Sequence, residues 1–408
     1  MNPLAVRPLK FSSILAVLAL GSVLFPACFA QSNSSDLAVN ANATTAPPVA
    51  FVYVSYTSST DQKGRIAEWT AAADGRLTPV AGSPFHADVD DMVVNGKFLF
   101  GSTQSGIYIA AFRMGANGAL HWTTSTNIAR FNPSGCYGPS PLVLDHTGAN
   151  LYLEVRLGSL CQANAHQSFT IDKTNGRLQF LGTSSEVPLF DRPLRFSGNN
   201  KFVYGGQCFF GSTVIDSVAG LTRYSNGFLN YNQVQITTIA AKTAADVYCR
   251  GPVAADTTNH VAMSMLPINV DADQQDGLPQ LATFTADSNG NLTTTSTYAN
   301  MATTPIGIVD INMAPTGKLL AVAGSGGLQI FHFNGAAPLT PEGGLLTTHF
   351  IESTYWDNAN HLYGLSADGL LFVFTVTPTN MSQAPGSPYT IPLTTRQFIV
   401  QPRTKLVP

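Results

Sequence analysis

Charge is what this 408-residue sequence has least of. Asp, Glu, Lys and Arg together make up 11% of residues, against the usual quarter or so, and the basic residues form no block. With a formal net charge of -3, the chain lacks the phosphate-neutralising surface on which nucleic-acid binding depends, and that class is set aside. Cys-x-x-Cys, His-x-His, His-Glu-x-x-His and Gly-x-Ser-x-Gly are also absent. With them go the common zinc signatures and the nucleophile elbow, so neither a metal nor a cofactor is expected. "NVDADQQDG" (269–277) has three aspartates but no glycine at the sixth position of a calcium loop, and it reads as a solvated acidic loop.

No segment is long and apolar enough to read as a membrane-spanning helix. The stretch from Phe11 to Phe25 is about 15 residues, short of the roughly 20 a bilayer requires. Preceded by Arg7 and Lys10 and followed by "PACFA", it reads as a signal peptide over residues 1–30 cleaved after Ala30. The implied location is extracytoplasmic, periplasmic or secreted. A second reading makes Cys28 a lipid-anchored N-terminus, the one membrane attachment the sequence allows, although Phe25 and Pro26 match the expected Leu-small-small pattern poorly. Residues 31–50 lack periodicity and read as a flexible linker. The globular part then covers 51–408.

What is abundant is turn chemistry. "DGRL" at 74–77 returns as "NGAL" (117–120), "NGRL" (175–178), "NGFL" (226–229) and "NGNL" (289–292), and is stretched to "NGAAPL" at 334–339. Each glycine supplies positive φ, and the leucine after it starts a strand facing the core. Short apolar runs begin at Phe51, Phe98, Leu151, Phe202, Val261, Leu319 and Leu362, at intervals of 47, 53, 51, 59, 58 and 43 residues. That spacing suits four short strands and their loops. The runs are 4 to 8 residues long and rich in β-branched and aromatic side chains, which favours strands over helices. The first unit lacks an opening strand, while a surplus strand, "RQFIV" (396–400), follows the last. The tail therefore completes the first unit, and the chain is expected to be an all-β, seven-bladed β-propeller with no raw sheet edge, acting as a monomer.

With "GRIAEWTAAADGRLTPVAGSP" (64–84), "APGSP" (384–388), "DHTGANLYLEV" and "APTGKLLAVAG", the sequence resembles the seven-bladed propeller lactonase family, which includes 6-phosphogluconolactonase and the carboxymuconate cyclases. The resemblance implies that members with lactonase activity carry a Pro-His segment before a blade's first strand, an Arg-Pro-Arg-His segment in the next blade and an acidic residue ending the strand that follows. Here "YGPSPLVLDHTG" (137–148) has serine and proline in place of the first histidine. "DRPLRF" (191–196) keeps Arg192 and Pro193 but has Leu194 and Arg195 at the later positions, and Gln207 and Cys208 occupy the acidic position. Arg192 alone carries over. An arginine can hold a carboxylate or phosphate but cannot complete a proton-transfer apparatus. The expected role is thus an exported scaffold or binding propeller taking a small-molecule or protein ligand on its loop face; the alternative is a lactonase.

Removing the signal leaves four cysteines, an even number in an oxidising compartment. Three pairings are open. Blade topology favours Cys136 with Cys161 and Cys208 with Cys249, all four on one face; free buried thiols are the alternative. Arg192, Arg250 and Arg396 should share that face, near the starts of inner strands, where they would attract an anionic ligand or else pair with local carboxylates.

Overall fold

A computed structural model describes residues 46–403, apart from 133–135, 137, 139–140, 158–160, 162, 187–193, 210–214, 273, 378–379 and 393. The signal peptide, the Cys28 anchor, residues 31–45 of the linker, and Arg192 lie outside the described residues. The strands form seven antiparallel sheets, each with a four-strand path, here called a to d from the first strand outward. Strands a of blades 2 to 7 are Val89–Val94, Leu142–Leu144, Arg195–Phe196, Asp246–Ala255, Ile308–Met313 and Ile351–Trp356. Strand a of blade 1 is Thr395–Pro402, which pairs antiparallel with Ala50–Thr57 from Ala50↔Pro402 to Tyr56↔Thr395. The tail completes the first blade, as the missing opening strand requires.

The apolar runs that the sequence marks are strands b: Ala50–Thr57, Phe98–Thr103, Asn150–Leu157, Phe202–Phe209, His260–Asn269, Leu319–Gly324 and His361–Ser366. Their side chains alternate between two blade seams. Val52 and Val54 pack against blade 7 with Tyr363 and Leu365, while Phe51 and Tyr53 pack against blade 2 with Leu99 and Phe112. Among the described residues the buried apolar side chains form seven such clusters, one per seam. A strand buried on both faces reads as a nearly continuous apolar run rather than a strict alternation, which is why "FVYV" lacks polar spacing.

The repeated turn has its explanation at these seams. The glycine between strands c and d of one blade is pressed onto the start of strand b in the blade before it. A Cβ on Gly118 would lie 2.7 Å from the Phe51 ring, one on Gly290 2.6 Å from Phe202, and one on Gly176 3.1 Å from Phe98. The same seam is locked by hydrogen bonds: the hydroxyls of Tyr53, Tyr152 and Tyr204 donate to the carbonyls of Gly118, Gly227 and Gly290 at 2.8, 2.9 and 2.9 Å. At the closing seam His361 of blade 7 takes the aromatic position, 3.1 Å from where a Gly75 Cβ would sit. The leucines two residues after the turn glycines, Leu77, Leu120, Leu178, Leu229 and Leu292, are all buried.

Candidate functional site in the central channel

The first strands of all seven blades wall a central cavity of about 990 Å³. Polar groups line it at both ends of those strands, Asn95, Asp145, His146 and Gln401 toward the a–b turns and Asp90, Asp91 and Arg396 near the starts, where five of the seven strands carry irregular pairing. In blade 2, Val89 pairs with Thr103 and Met92 with Gly101, so Asp90 and Asp91 together oppose Ser102. In blade 1, Gln397 pairs with Ser55 and Thr395 with Tyr56, which leaves Arg396 as the extra residue. Blades 5, 6 and 7 shift register after Arg250, Ile308 and Ile351. Such bulges re-aim side chains; here they turn Asp90, Asp91 and Arg396 into the cavity.

Arg396 holds two carboxylates: its Nη1 lies 3.0 Å from Asp88 and 2.8 Å from Asp90, and its Nη2 donates to the Thr57 hydroxyl at 2.6 Å. Arg195, from the short strand a of blade 4, lies 3.6 Å from Asp310 of blade 6. Asp310 also accepts from the backbone N–H and hydroxyl of Thr354, at 2.8 and 2.7 Å. Tyr355 of blade 7 lines the wall beside these groups. Burial, then the Asp91 charge, keeps its phenol protonated well above the ordinary tyrosine range.

Asp91 stands apart. Its carboxylate accepts from the backbone N–H of Met92 at 3.0 Å and from that of Leu142 in blade 3, and the Gln397 amide bonds it from blade 1. Burial pushes its carboxyl up to about 7, with Asp90 adding to the rise and these hydrogen bonds opposing it. Asp90 is also raised, first by burial, with Arg396 opposing. A carboxyl near 7 can hold or release a proton at neutral pH.

The structure brings Arg396 to the channel as expected from its position. Arg250 falls in strand a of blade 5 but is not among the residues lining the cavity. The lining residues Arg195, Asp91 and Tyr355 were not among the candidates read from the sequence. An Asp-Asp pair in a chain so poor in charge was the available signal for Asp91. The cysteines pair as blade topology favours: Cys136 with Cys161, Cα atoms 5.7 Å apart, and Cys208 with Cys249, 5.1 Å apart. The second bridge ties the end of strand b in blade 4 to strand a of blade 5. There Gly206 and Gly251 let the two backbones touch, and a Cβ at Gly206 would lie 2.1 Å from the Gly251 carbonyl.

Fold and cavity together define a closed seven-bladed β-propeller with a polar axial channel. No protein-family model matches the sequence, and no curated protein matches it. Among solved structures it is similar to a Lactobacillus plantarum protein, at 13% identity and a TM-score of 0.58, covering 86% of this chain and 99% of that one. The periplasmic gluconolactonase of Pseudomonas aeruginosa is similar at 9% identity and a TM-score of 0.56, with the same coverage. A hypothetical selenium-binding protein of Sulfolobus tokodaii follows at 8% identity and a TM-score of 0.58, covering 87% of this chain and 94% of that one. At these identities the likeness is one of fold.

Proposed function

We propose that this is an exported propeller that binds a small polyhydroxylated molecule in the central channel. The observation that carries the reading is the mixed lining: Arg195, Arg396 and the Gln397 amide as donors, and Asp90 and Asp91 as acceptors, on strands from three blades around one roomy cavity. Interleaved donors and acceptors suit vicinal hydroxyls, each of which both gives and takes a hydrogen bond. The N-terminal export-like stretch and the two disulfides support the location. Thermal unfolding in the presence of glucose, gluconate and gluconolactone tests it: ligand at about 100 times its Kd should stabilise the chain by about 2.7 kcal/mol. No shift with any of them, or an undiminished shift in Arg396→Ala, refutes the site.

A second reading, lactone hydrolysis, is favoured by Asp91. A half-buried carboxyl titrating near neutrality is suited to take a proton from an attacking water, and the gluconolactonase fold-mate makes sugar lactones the substrates to try. Hydrolysis of gluconolactone above the spontaneous rate, rising through pH 7 and lost in Asp91→Asn, would establish it; a rate equal to that in buffer excludes it for that substrate.

A further inference from the structure

We infer that Asp91 selects among polyols for one bearing a protonated amine, a refinement that rests on the channel being a polyol site. The argument is one of charge bookkeeping across the cavity wall. The ionisable side chains that meet at this level include Asp88, Asp90 and Asp91 from blade 2 and its approach, Asp310 from blade 6, Arg195 from blade 4, Arg396 from blade 1 and the Tyr355 phenol from blade 7, while Asp145 and His146 of blade 3 line the same cavity. Arg396 is shared between Asp88 and Asp90, and Arg195 is engaged with Asp310. Asp91 is left with hydrogen-bond donors only, two backbone N–H groups and the Gln397 amide, and pairs with no Lys, Arg or His among the described residues. An anion entering the channel meets guanidiniums already committed to carboxylates. An ammonium finds a carboxylate that no cation among the described residues pairs with.

The surroundings of Asp91 reinforce this. From its own strand it faces Asp90; from blade 1, the Gln397 amide, Arg396 being held by Asp88 and Asp90; from blade 7, the Tyr355 phenol, with the Arg195–Asp310 pair beyond it. Blade 3 presents the Leu142 N–H, with Asp145 and His146 elsewhere on the wall of the same cavity. Burial first raises the carboxyl, no cation among the described residues pairs with it, and a ligand ammonium would balance its charge. Ammonium and proton then compete for the same oxygens, so the preference for the amine should strengthen as pH rises from about 5.5 to 7, below the range in which the amine loses its own proton.

Calorimetry on the full disulfide-bonded chain with glucose, glucosamine and gluconate tests the inference. At about pH 7, where the glucosamine amine is still mostly protonated, glucosamine should bind about fivefold more tightly than glucose, the share of one charge-assisted hydrogen bond that a half-ionised carboxyl delivers, and gluconate should bind more weakly than glucose. In Asp91→Asn the ratio of glucosamine to glucose affinity should fall to about one, whatever the absolute affinity for either. In the unaltered protein the preference should shrink at about pH 5.5, a readout that does not depend on the variant folding. Equal binding of glucose and glucosamine, or tightest binding of gluconate, overturns the amine selectivity and leaves the polyol site standing. Failure of all three to bind removes both.

Discussion

Two glycines with the same backbone angle separate conformational strain from crowding. Gly290, between strands c and d of blade 5, has φ +89°, and a Cβ there would lie 2.6 Å from Cδ1 and 2.8 Å from Cε1 of Phe202. Gly96, in the turn after strand a of blade 2, has φ +88° and nothing within 4 Å of the position a Cβ would take. An alanine at either site adopts a left-handed conformation at a cost of about 1–2 kcal/mol. At Gly290 the methyl must in addition displace a ring that is 2% exposed at the blade 4–blade 5 seam, and overpacking of this kind adds about 1–3 kcal/mol. Gly290→Ala should therefore lower stability by about 2–5 kcal/mol and Gly96→Ala by about 1–2. Urea titrations read the difference as unequal midpoint shifts at a common slope. Adding Phe202→Leu to each alanine variant should recover stability only beside Gly290→Ala, as a coupling of contacting residues. Equal losses from the two alanines would refute the claim that the repeated turn glycine exists to admit the neighbouring blade's side chain.

Other outcomes follow from the same geometry. Tyr204→Phe removes the donor to the buried Gly290 carbonyl and should cost about 1–3 kcal/mol by denaturant titration; no loss would mean that water replaces the bond. For Asp91, the folded carboxyl near 7 exceeds its ordinary 3.8, so the folded chain binds the extra proton between those values. Stability should fall as pH climbs through that window and level off above it. Asp91→Asn should flatten this slope, and an unchanged slope assigns the titration elsewhere. Replacing both Cys208 and Cys249 with serine opens a link across 41 residues and should cost about 2–4 kcal/mol, seen as a lower melting temperature that the unaltered protein shows only under reductant. Ending the chain before Thr395 strips strand a from blade 1 and bares the Ala50–Thr57 edge; light scattering should then show association, and a monodisperse truncated chain would contradict closure.

The architecture was legible because its determinants are local. Asn-Gly and Asp-Gly turns, two-sided apolar runs and a missing first strand each leave a mark within a few residues, and the closing pairing of Ala50–Thr57 with Thr395–Pro402 follows from counting strands. The disulfides were legible for the same reason: once each cysteine has a place in a blade, proximity decides the partner. The channel was harder to read. Arg396 was found because it begins a surplus strand, but nothing in "ADVDDM" says that Asp90 and Asp91 oppose a single serine, and a regular alternation would send one of them into the seam. Arg195 looked like a departure from the resembled family's motif, yet the short strand Arg195–Phe196 carries it to the cavity wall. Tyr355 reads as one more aromatic in a strand, and its place beside Asp91 depends on how blades 7 and 2 flank blade 1 at the channel.

The extra residue at the head of the inner strands separates two kinds of evolutionary freedom. Below it, side chains alternate between the two seams, so each change is felt by a neighbouring blade as well as by its own. Above it, a substitution at Asp90, Asp91 or Arg396 alters what a visiting molecule meets while the ladder from strand b outward keeps its alignment. A lineage could therefore exchange one guest for another by editing a handful of rim positions on an unaltered wheel.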